Sequence, residues 1–224
     1  MFNQNADIIE IEFQNFSGCN SKYDMFLKCF SLKKINFSSF NTSNVKDMTG
    51  MFYKCYSLKN LNLSSFDTRN VIKMNWMFGV CSSLKNLDIS SFNTSKVNEM
   101  REMFRNCTSL EVLDVTNFDT SAVKNFSRMF EYCYKLKFLD LSSFDTSSVT
   151  DMTKMFFDSM NLNLLILSKE FIMKTNYDQF ITNECTEIIE NGASIANEIK
   201  DYLKTCSNVI EILIDSKEED YKIY

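Results

Sequence analysis

The sequence predicts a right-handed α/β solenoid, with parallel strands on a concave face and short helices on a convex face. Three observations support this fold class: the pair Met-Phe recurs with a constant period of 26, as from Met25 to Met51, a stretch of alternating apolar residues follows each pair, and apolar residues at helical spacing precede the next pair. A unit of this length cannot bury its apolar side alone. Neighbouring units are therefore expected to stack around one continuous core.

Six copies of the repeat are evident from their Met-Phe pairs. A cysteine lies three residues after Phe in the first five copies, and Ser159 takes that place in the sixth. The consensus reads Met-Phe-x-x-Cys-x-x-Leu-x-x-Leu-x-Leu-Ser-Ser-Phe-Asp-Thr-Ser-x-Val-x-x-Met-x-x. The phenylalanines of the pairs are Phe26, Phe52, Phe78, Phe104, Phe130 and Phe156, and the cysteines are Cys29, Cys55, Cys81, Cys107 and Cys133.

The Leu-x-x-Leu-x-Leu part of each repeat predicts a short strand. Leu61 and Leu63 flank Asn62, and such period-two alternation buries one face of a strand while the other points away from the core. A phenylalanine follows each strand, and these rings are expected to stack as an aromatic spine at the turn. They are Phe40, Phe66, Phe92, Phe118 and Phe144.

The second part of each repeat predicts a short helix. Val45, Met48, Phe52 and Cys55 stand at spacings of three, four and three residues, which place them on one helical face. A threonine precedes each of these runs and is expected to be the N-cap residue. The threonines are Thr42, Thr68, Thr94, Thr120 and Thr146.

Weaker copies extend the period toward both ends. Ile9 and Ile11 stand one full period before Ile35 and Phe37, which predicts an N-terminal strand paired in that register. Arrays of this kind require atypical end repeats. A separate small α/β domain is the alternative for the C-terminal part. The predicted parts are a degenerate N-terminal capping repeat (1–24), the regular repeats (25–168), two diverged capping repeats (169–214) and a charged tail (215–224).

Composition excludes several classes of function. A net charge of −5 and a pI near 5.0 argue against nucleic-acid binding, which demands a basic surface. No apolar run approaches the roughly 18 residues of a membrane span. The absence of His removes the commonest catalytic base and transition-metal ligand, and four Gly and no Pro leave no Gly-rich phosphate loop. We expect neither an enzyme nor a bound metal or cofactor.

The cysteine column has three interpretations, of which buried packing is favoured. Adjacent strands lie about 4.8 Å apart, so stacked cysteines fall within disulfide range. Their side chains run parallel into the core, however, and a disulfide needs opposed geometry. A metal site needs converging ligands such as Cys-x-x-Cys, a pair that the sequence lacks. Buried thiols acting as small apolar packers are therefore expected, and Cys19 receives the same interpretation.

The exposed face of the strands is the candidate binding surface, because it changes from polar to acidic to apolar along the array. Its apolar residues contact a partner, are covered by the C-terminal segment, or are scattered exposed side chains without a role. Its acidic residues form a solvated ladder or meet a basic partner or a cation, since stacked like charges repel. The apolar residues are Val112, Phe138, Leu164 and Ile166, and the acidic ones are Asp88, Asp114 and Asp140.

Residues 81–104, from Cys-Ser-Ser-Leu-Lys-Asn-Leu-Asp-Ile-Ser-Ser-Phe to Met-Phe, carry all but two positions of one repeat. This unit resembles the repeats of BspA-like leucine-rich-repeat surface proteins of bacteria and some protists, over residues 25–168. The resemblance implies a leucine-rich-repeat-like solenoid, exposure at the cell surface or secretion, and adhesion to host or matrix proteins. It implies no catalytic residues.

Two hypotheses about function follow. In the first, the chain is a non-catalytic protein that recognises a protein or glycan through its concave face at a cell surface. The second is an intracellular scaffold or assembly subunit in the cytoplasm. It is motivated by the N-terminus, which shows no secretory signal, and by cysteines that are expected to be unpaired.

Overall fold

The structure, a computed structural model, describes residues 2–13, 22–162, 164–168, 171–172 and 211–215. Short parallel strands recur within these residues and form three small sheets, in the orders β1-β2, β3-β4 and β5-β6-β7. The strands are β1 (Glu10–Glu12), β2 (Lys34–Asn36), β3 (Asn60–Asn62), β4 (Asn86–Asp88), β5 (Phe138–Leu141), β6 (Leu164–Ser168) and β7 (Glu211–Asp215).

Strand pairing follows the repeat. Leu61 of β3 pairs with Leu87 of β4, one full period further along the chain, and Leu139 of β5 pairs with Leu165 of β6 at the same interval. Equivalent residues of consecutive repeats therefore lie side by side in columns. One strand prediction is wrong: residues 112–114, at the equivalent position between β4 and β5, belong to no strand.

The register predicted for the N-terminal strand is also wrong. Ile35 pairs with Ile11 and not with Ile9, and the rings of Phe13 and Phe37 stack with their centroids 5.8 Å apart. This shift by two positions keeps the same side chains on the buried face, because the side-chain period of a strand is two. The apolar alternation alone could not distinguish the two registers.

The predicted helices are not found in the described repeats, where tight turns take their place. The N–H of Met51 donates to the carbonyl of Met48 (3.2 Å), and the N–H of Phe52 donates to Met77 of the next repeat (2.9 Å). An α-helix would instead direct each N–H to the carbonyl four residues earlier. The apolar spacings of three and four therefore arise here from successive turns. The backbone N–H groups that do not bond within a turn donate to carbonyl groups of the next repeat.

Left-handed residues mark where the backbone departs from a helix. Each of these repeats has two residues with positive φ, such as Gly50 (62°) and Lys54 (64°), and a helix of L-residues does not continue through that conformation. The equivalent pairs are Trp76 and Val80, Glu102 and Asn106, Arg128 and Tyr132, and Lys154 and Asp158.

Hydrogen bonds on this turn side connect more consecutive repeats than strand pairing does. Isolated parallel bridges pass from Asp47 through Lys73, Glu99 and Asn125 to Asp151. The turn side therefore links five repeats without interruption, whereas strand pairing on the opposite side is divided among three sheets.

The core is built around a stack of phenylalanine rings. The rings of the Met-Phe pairs lie 5.3–5.7 Å apart and within 8° of parallel, and Phe2 continues the stack beyond Phe26. In the spine predicted after the strands, Phe40 stacks on Phe66 (5.7 Å) and Phe118 on Phe144 (6.5 Å). The longer stack runs through the second residue of each Met-Phe pair.

The recurrent threonine has a different role from the predicted N-cap. Thr42 Oγ1 donates to the carbonyl of Asp67 (3.0 Å) and accepts from the N–H of the same residue (2.8 Å). Thr68, Thr120 and Thr146 make the same two-way contact with the following repeat, and all of these threonines are buried. Each threonine thus joins two repeats.

The cysteines are buried and unpaired, as predicted for those that the structure describes. Each thiol donates to a backbone carbonyl of the preceding repeat, as Cys81 Sγ does to Phe52 (3.1 Å), and Ser159 Oγ makes the equivalent bond to Phe130 (2.6 Å). Burial raises the pKa of Cys81 and Cys133 to about 12, so both thiols stay protonated. Cys19 lies outside the described residues.

Candidate functional site

The strand face presents the predicted apolar residues at one end of its described part. Val112 is 69% exposed and Phe138 is 40% exposed, and they occupy equivalent positions in consecutive repeats. Leu164 and Ile166, on β6, are half-buried. In earlier repeats the position of Val112 holds Asn60 and Asn86, whose side chains bond to each other (2.6 Å).

Each aspartate of the acidic column accepts hydrogen bonds from the residue two positions later and so holds a tight turn. Asp88 Oδ1 accepts from the N–H (3.1 Å) and hydroxyl (2.7 Å) of Ser90, and Asp114 Oδ1 accepts from the N–H (3.0 Å) and hydroxyl (2.6 Å) of Thr116. These bonds lower the pKa of both carboxyl groups, because they favour the charged form. Asp140 accepts from the N–H of Ser142 (2.8 Å).

The turn itself does not require a negative charge. Asn36 and Asn62 occupy the same column in earlier repeats and accept the equivalent bonds from Ser38 (3.0 Å) and Ser64 (2.9 Å). An amide oxygen therefore suffices for the structural role. The carboxylates at 88, 114 and 140 bring an additional charge to the strand face.

A shallow groove of about 680 Å³ lies on this face beside Val112. Leu87 contributes to its floor and is half-buried, whereas Leu61 and Leu113 of the same column are at most 4% exposed. The groove is lined by Asn60, Leu61, Asn62, Lys85, Asn86, Leu87, Asp88, Glu111, Val112 and Asp114. Asp88, Asp114 and Val112 are thus brought together, while Phe138, Asp140, Leu164 and Ile166 do not line the groove.

Sequence reasoning missed Lys85 and Glu111 as lining residues. Both stand one position before the first exposed column, where lysine recurs at Lys33, Lys59, Lys85 and Lys137 and glutamate replaces it at Glu111. The sixth repeat has Asn163 at this position, so Glu111 is the one acidic residue of the column in these six repeats, and its change of sign was the available signal. Glu111 Oε1 lies 3.9 Å from Lys135 Nζ, and both side chains are more than half exposed, so this pair is weak.

A second charged cluster lies on the turn side. Arg105 contacts the carboxylates of Glu131 and Glu102, while Arg101 pairs with Glu102 (2.9 Å) and Arg128 with Glu131 (3.6 Å). Both glutamates are buried, at 5% exposure or less. Their charges are met by arginines of the same cluster, and unpaired burial would be costly. We assign this cluster to the packing of neighbouring repeats.

Most of the C-terminal segment that was predicted to cap the array or to cover the apolar residues of the strand face lies beyond the described residues. β7 pairs in parallel beside β6, with Leu165 opposite Ile212 and Leu167 opposite Ile214, so its backbone extends the row of strands. Residues 173–210 and 216–224 are outside the described part, and so the predicted caps and tail stay predictions. Among described residues, Val112 and Phe138 remain exposed.

Within the described parts of the chain, no helix has the length and apolar character needed to cross a membrane.

Comparison with known proteins gives one family match. Neither the curated proteins nor the solved structures contain a match to this chain. The family model described as "Mycoplasma protein of unknown function, DUF285" matches residues 20–112 and again residues 86–200. Together the two matches span residues 20–200 and so cover more than half of the 224 residues. The chain therefore belongs to this family.

Proposed function

We propose that this protein is a non-catalytic interaction protein, a right-handed solenoid of the leucine-rich-repeat type that recognises a protein or glycan ligand through its strand face. The observation that carries the proposal is the exposure of Val112 (69%) and Phe138 (40%) beside a groove on that face. Contiguous exposed apolar side chains on a protein surface mark contact sites.

Packing of the repeats does not account for these two side chains. The equivalent positions in β3 and β4 hold Asn60 and Asn86, and Leu61 of β3 is buried (4% exposed) without an apolar residue beside it. An apolar residue at 112 or 138 is therefore dispensable for stacking. Its contribution to binding provides a reason for its presence.

The solenoid part of the proposal is supported by the way in which consecutive repeats meet. The register of one full repeat recurs in β3-β4 and in β5-β6, and parallel bridges on the turn side join five repeats. Stacked units of this kind form extended binding surfaces. The resemblance of the repeats to BspA-like surface proteins favours adhesion at a cell surface or after secretion.

An intracellular scaffold is the second candidate. Cys29, Cys55, Cys81, Cys107 and Cys133 are unpaired and buried, a state that suits a reducing compartment. Localisation of the tagged native protein separates the two candidates. A surface fraction supports adhesion, and a purely cytosolic pool supports the scaffold.

The binding surface is tested by capturing partners from native extract with the wild-type chain and with Phe138→Asp. We expect Phe138→Asp to lose the retained partner while the melting temperature falls by no more than about 4 °C. Phe138→Asn introduces the residue found at the equivalent positions 60 and 86. It therefore separates the effect of losing the ring from the effect of adding a negative charge. Met160→Asp is the matched control, because Met160 is 55% exposed and lies outside the strands.

Retention of the partner by Phe138→Asp would refute the proposed surface. A fall in melting temperature of more than about 10 °C would show that the ring is covered by the chain itself. Loss of binding in Met160→Asp to the same extent would show that added negative charge, and not the strand face, is responsible.

A further inference from the structure

The groove of about 680 Å³ beside Val112 has a chemical character that narrows the class of its ligand. Resting on the proposed function, we infer that the ligand is an extended, basic segment of a partner protein that carries apolar side chains. Three features of the groove carry this inference: its charge, the unpaired N–H groups of Glu111 and Val112, and its apolar floor.

The charge of the groove is negative. Asp88, Glu111 and Asp114 line it with one cation, Lys85, while Lys135 pairs weakly with Glu111 from outside the lining, and Asp140 follows Asp114 in the next repeat of the acidic column. Because asparagine serves the same turn at 36 and 62, the turn geometry does not explain the carboxylates. Stacked carboxylates repel one another, and a cationic ligand relieves that repulsion.

The backbone of residues 112–114 is unpaired with the strands of both neighbouring repeats. In the preceding repeat the N–H groups of Lys85 and Asn86 both donate to the carbonyl of Lys59 (2.8 and 3.2 Å). Within the described residues, the N–H groups of the equivalent Glu111 and Val112 have no backbone acceptor, and residues 112–114 pair with neither β4 nor β5. Unpaired main-chain N–H groups bind water or a ligand, and the carbonyl groups of a peptide can accept from them.

The floor of the groove supplies the apolar contact. Leu87 belongs to the buried leucine column but is only half-buried where the pairing between β4 and residues 112–114 is interrupted. Val112 stands beside it at 69% exposure. A basic peptide that places an apolar side chain against these two residues can still reach Asp88 and Asp114, because lysine side chains are long and flexible and extend their ammonium groups past apolar surface.

The test measures the binding of fluorescein-labelled peptides to the full chain by fluorescence anisotropy. The probes are a nine-residue peptide of alternating lysine and valine and a matched peptide of alternating glutamate and valine. We expect the lysine peptide to bind, the glutamate peptide not to bind, and a neutral oligosaccharide not to displace the bound peptide. Equal binding of both peptides, or displacement by the oligosaccharide, would overturn the inference.

Two sets of variants locate the site. Asp88→Asn/Asp114→Asn removes two charges but keeps the turn acceptors, and it is expected to weaken lysine-peptide binding about 2- to 30-fold, the combined effect of two exposed ion pairs. Val112→Asn, matching Asn60 and Asn86, is also expected to weaken it. Asp119→Asn/Asp145→Asn is the control, because these aspartates accept bonds from Ser121 and Ser147 in a different turn. Equal weakening by the control would indicate non-specific attraction and refute the site.

The outcome is separable from that of the proposed function. If the natural partner is lost in Phe138→Asp but binds Asp88→Asn/Asp114→Asn as well as wild type, the strand face is the surface and the basic-segment inference fails. If Phe138→Asp retains the partner, the proposed function fails. Melting curves of each variant show that the comparison is made between folded proteins.

Discussion

Truncation of one ring in the phenylalanine stack tests how the repeats are held together. Phe104 is fully buried and lies between Phe78 (5.5 Å) and Phe130 (5.6 Å). Its N–H also donates to Met129 of the next repeat (3.0 Å), a bond that Phe104→Ala leaves in place. The substitution therefore removes ring contacts on both sides without removing a backbone hydrogen bond.

The expected cost follows from burial. Replacing a fully buried phenylalanine by alanine lowers the free energy of unfolding by about 3–5 kcal/mol, which includes two stacked contacts of about 0.5–1.5 kcal/mol each. Phe138→Ala is the matched substitution, since Phe138 is 40% exposed. With part of the ring already in water, its cost is at most about 1.5 kcal/mol.

Urea unfolding followed by circular dichroism compares the two variants. We expect Phe104→Ala to be less stable than Phe138→Ala by about 1.5 kcal/mol or more. Because each repeat contacts only its neighbours, Phe104→Ala is also expected to broaden the transition as the two halves of the array uncouple. Equal midpoints for the two variants would refute the claim that this ring stack is central to the core.

Two further predictions concern the columns that join the repeats. Thr120→Val removes the hydroxyl that donates to the carbonyl of Asp145 (3.0 Å) and accepts from its N–H (2.8 Å). We expect urea unfolding to show that the free energy of unfolding falls by about 2–4 kcal/mol, because two backbone groups lose their partner. A fall of less than about 0.5 kcal/mol would contradict this role. The free energy of unfolding is also expected to fall as pH rises from about 9 toward 12. The thiols of the unfolded chain lose their protons near their ordinary pKa of 9.0, whereas burial raises the pKa of Cys81 and Cys133 in the folded chain to about 12. Unfolding therefore releases protons in this range, and rising pH favours it. Cys81→Ser/Cys133→Ser, for which Ser159 is the precedent, should reduce this slope in melting curves, and an unchanged slope would contradict the raised pKa values.

The buried columns could be predicted from the sequence because their period is a local property. Every residue in the leucine column lies on the same side of its strand, so alternation alone identifies Leu61 and Leu139 as buried. The exposure of Val112 and Phe138 follows from the same alternation. These predictions did not depend on the contacts between neighbouring repeats.

The helices were predicted wrongly because the deciding bonds are not local. The spacing of Val45, Met48, Phe52 and Cys55 fits a helix and also fits successive turns. The choice between them is made by N–H groups that donate to the next repeat, as Gly50 does to Asn75 (2.8 Å). Thr42 was misassigned for the same reason, since its partner Asp67 lies in the next repeat.

The groove could not be predicted because it depends on an interruption in strand pairing. Residues 112–114 match the consensus as well as Asn86–Asp88 do, yet they pair with neither neighbour. The side chains give no signal for that loss, apart from Glu111 in a column that is mostly lysine. The charge of the site was therefore visible in the sequence, while its shape was not.

Hydrogen–deuterium exchange of the chain with and without its captured partner tests recognition through the strand face most directly. In the unbound chain the amides of residues 111–115, which have no backbone acceptor within the described residues, should exchange rapidly. Bound partner should slow exchange there and in β5, and should leave the amides of residues 100–106 on the turn side unchanged. Protection confined to the turn side, with residues 111–115 still exchanging rapidly, would contradict the account.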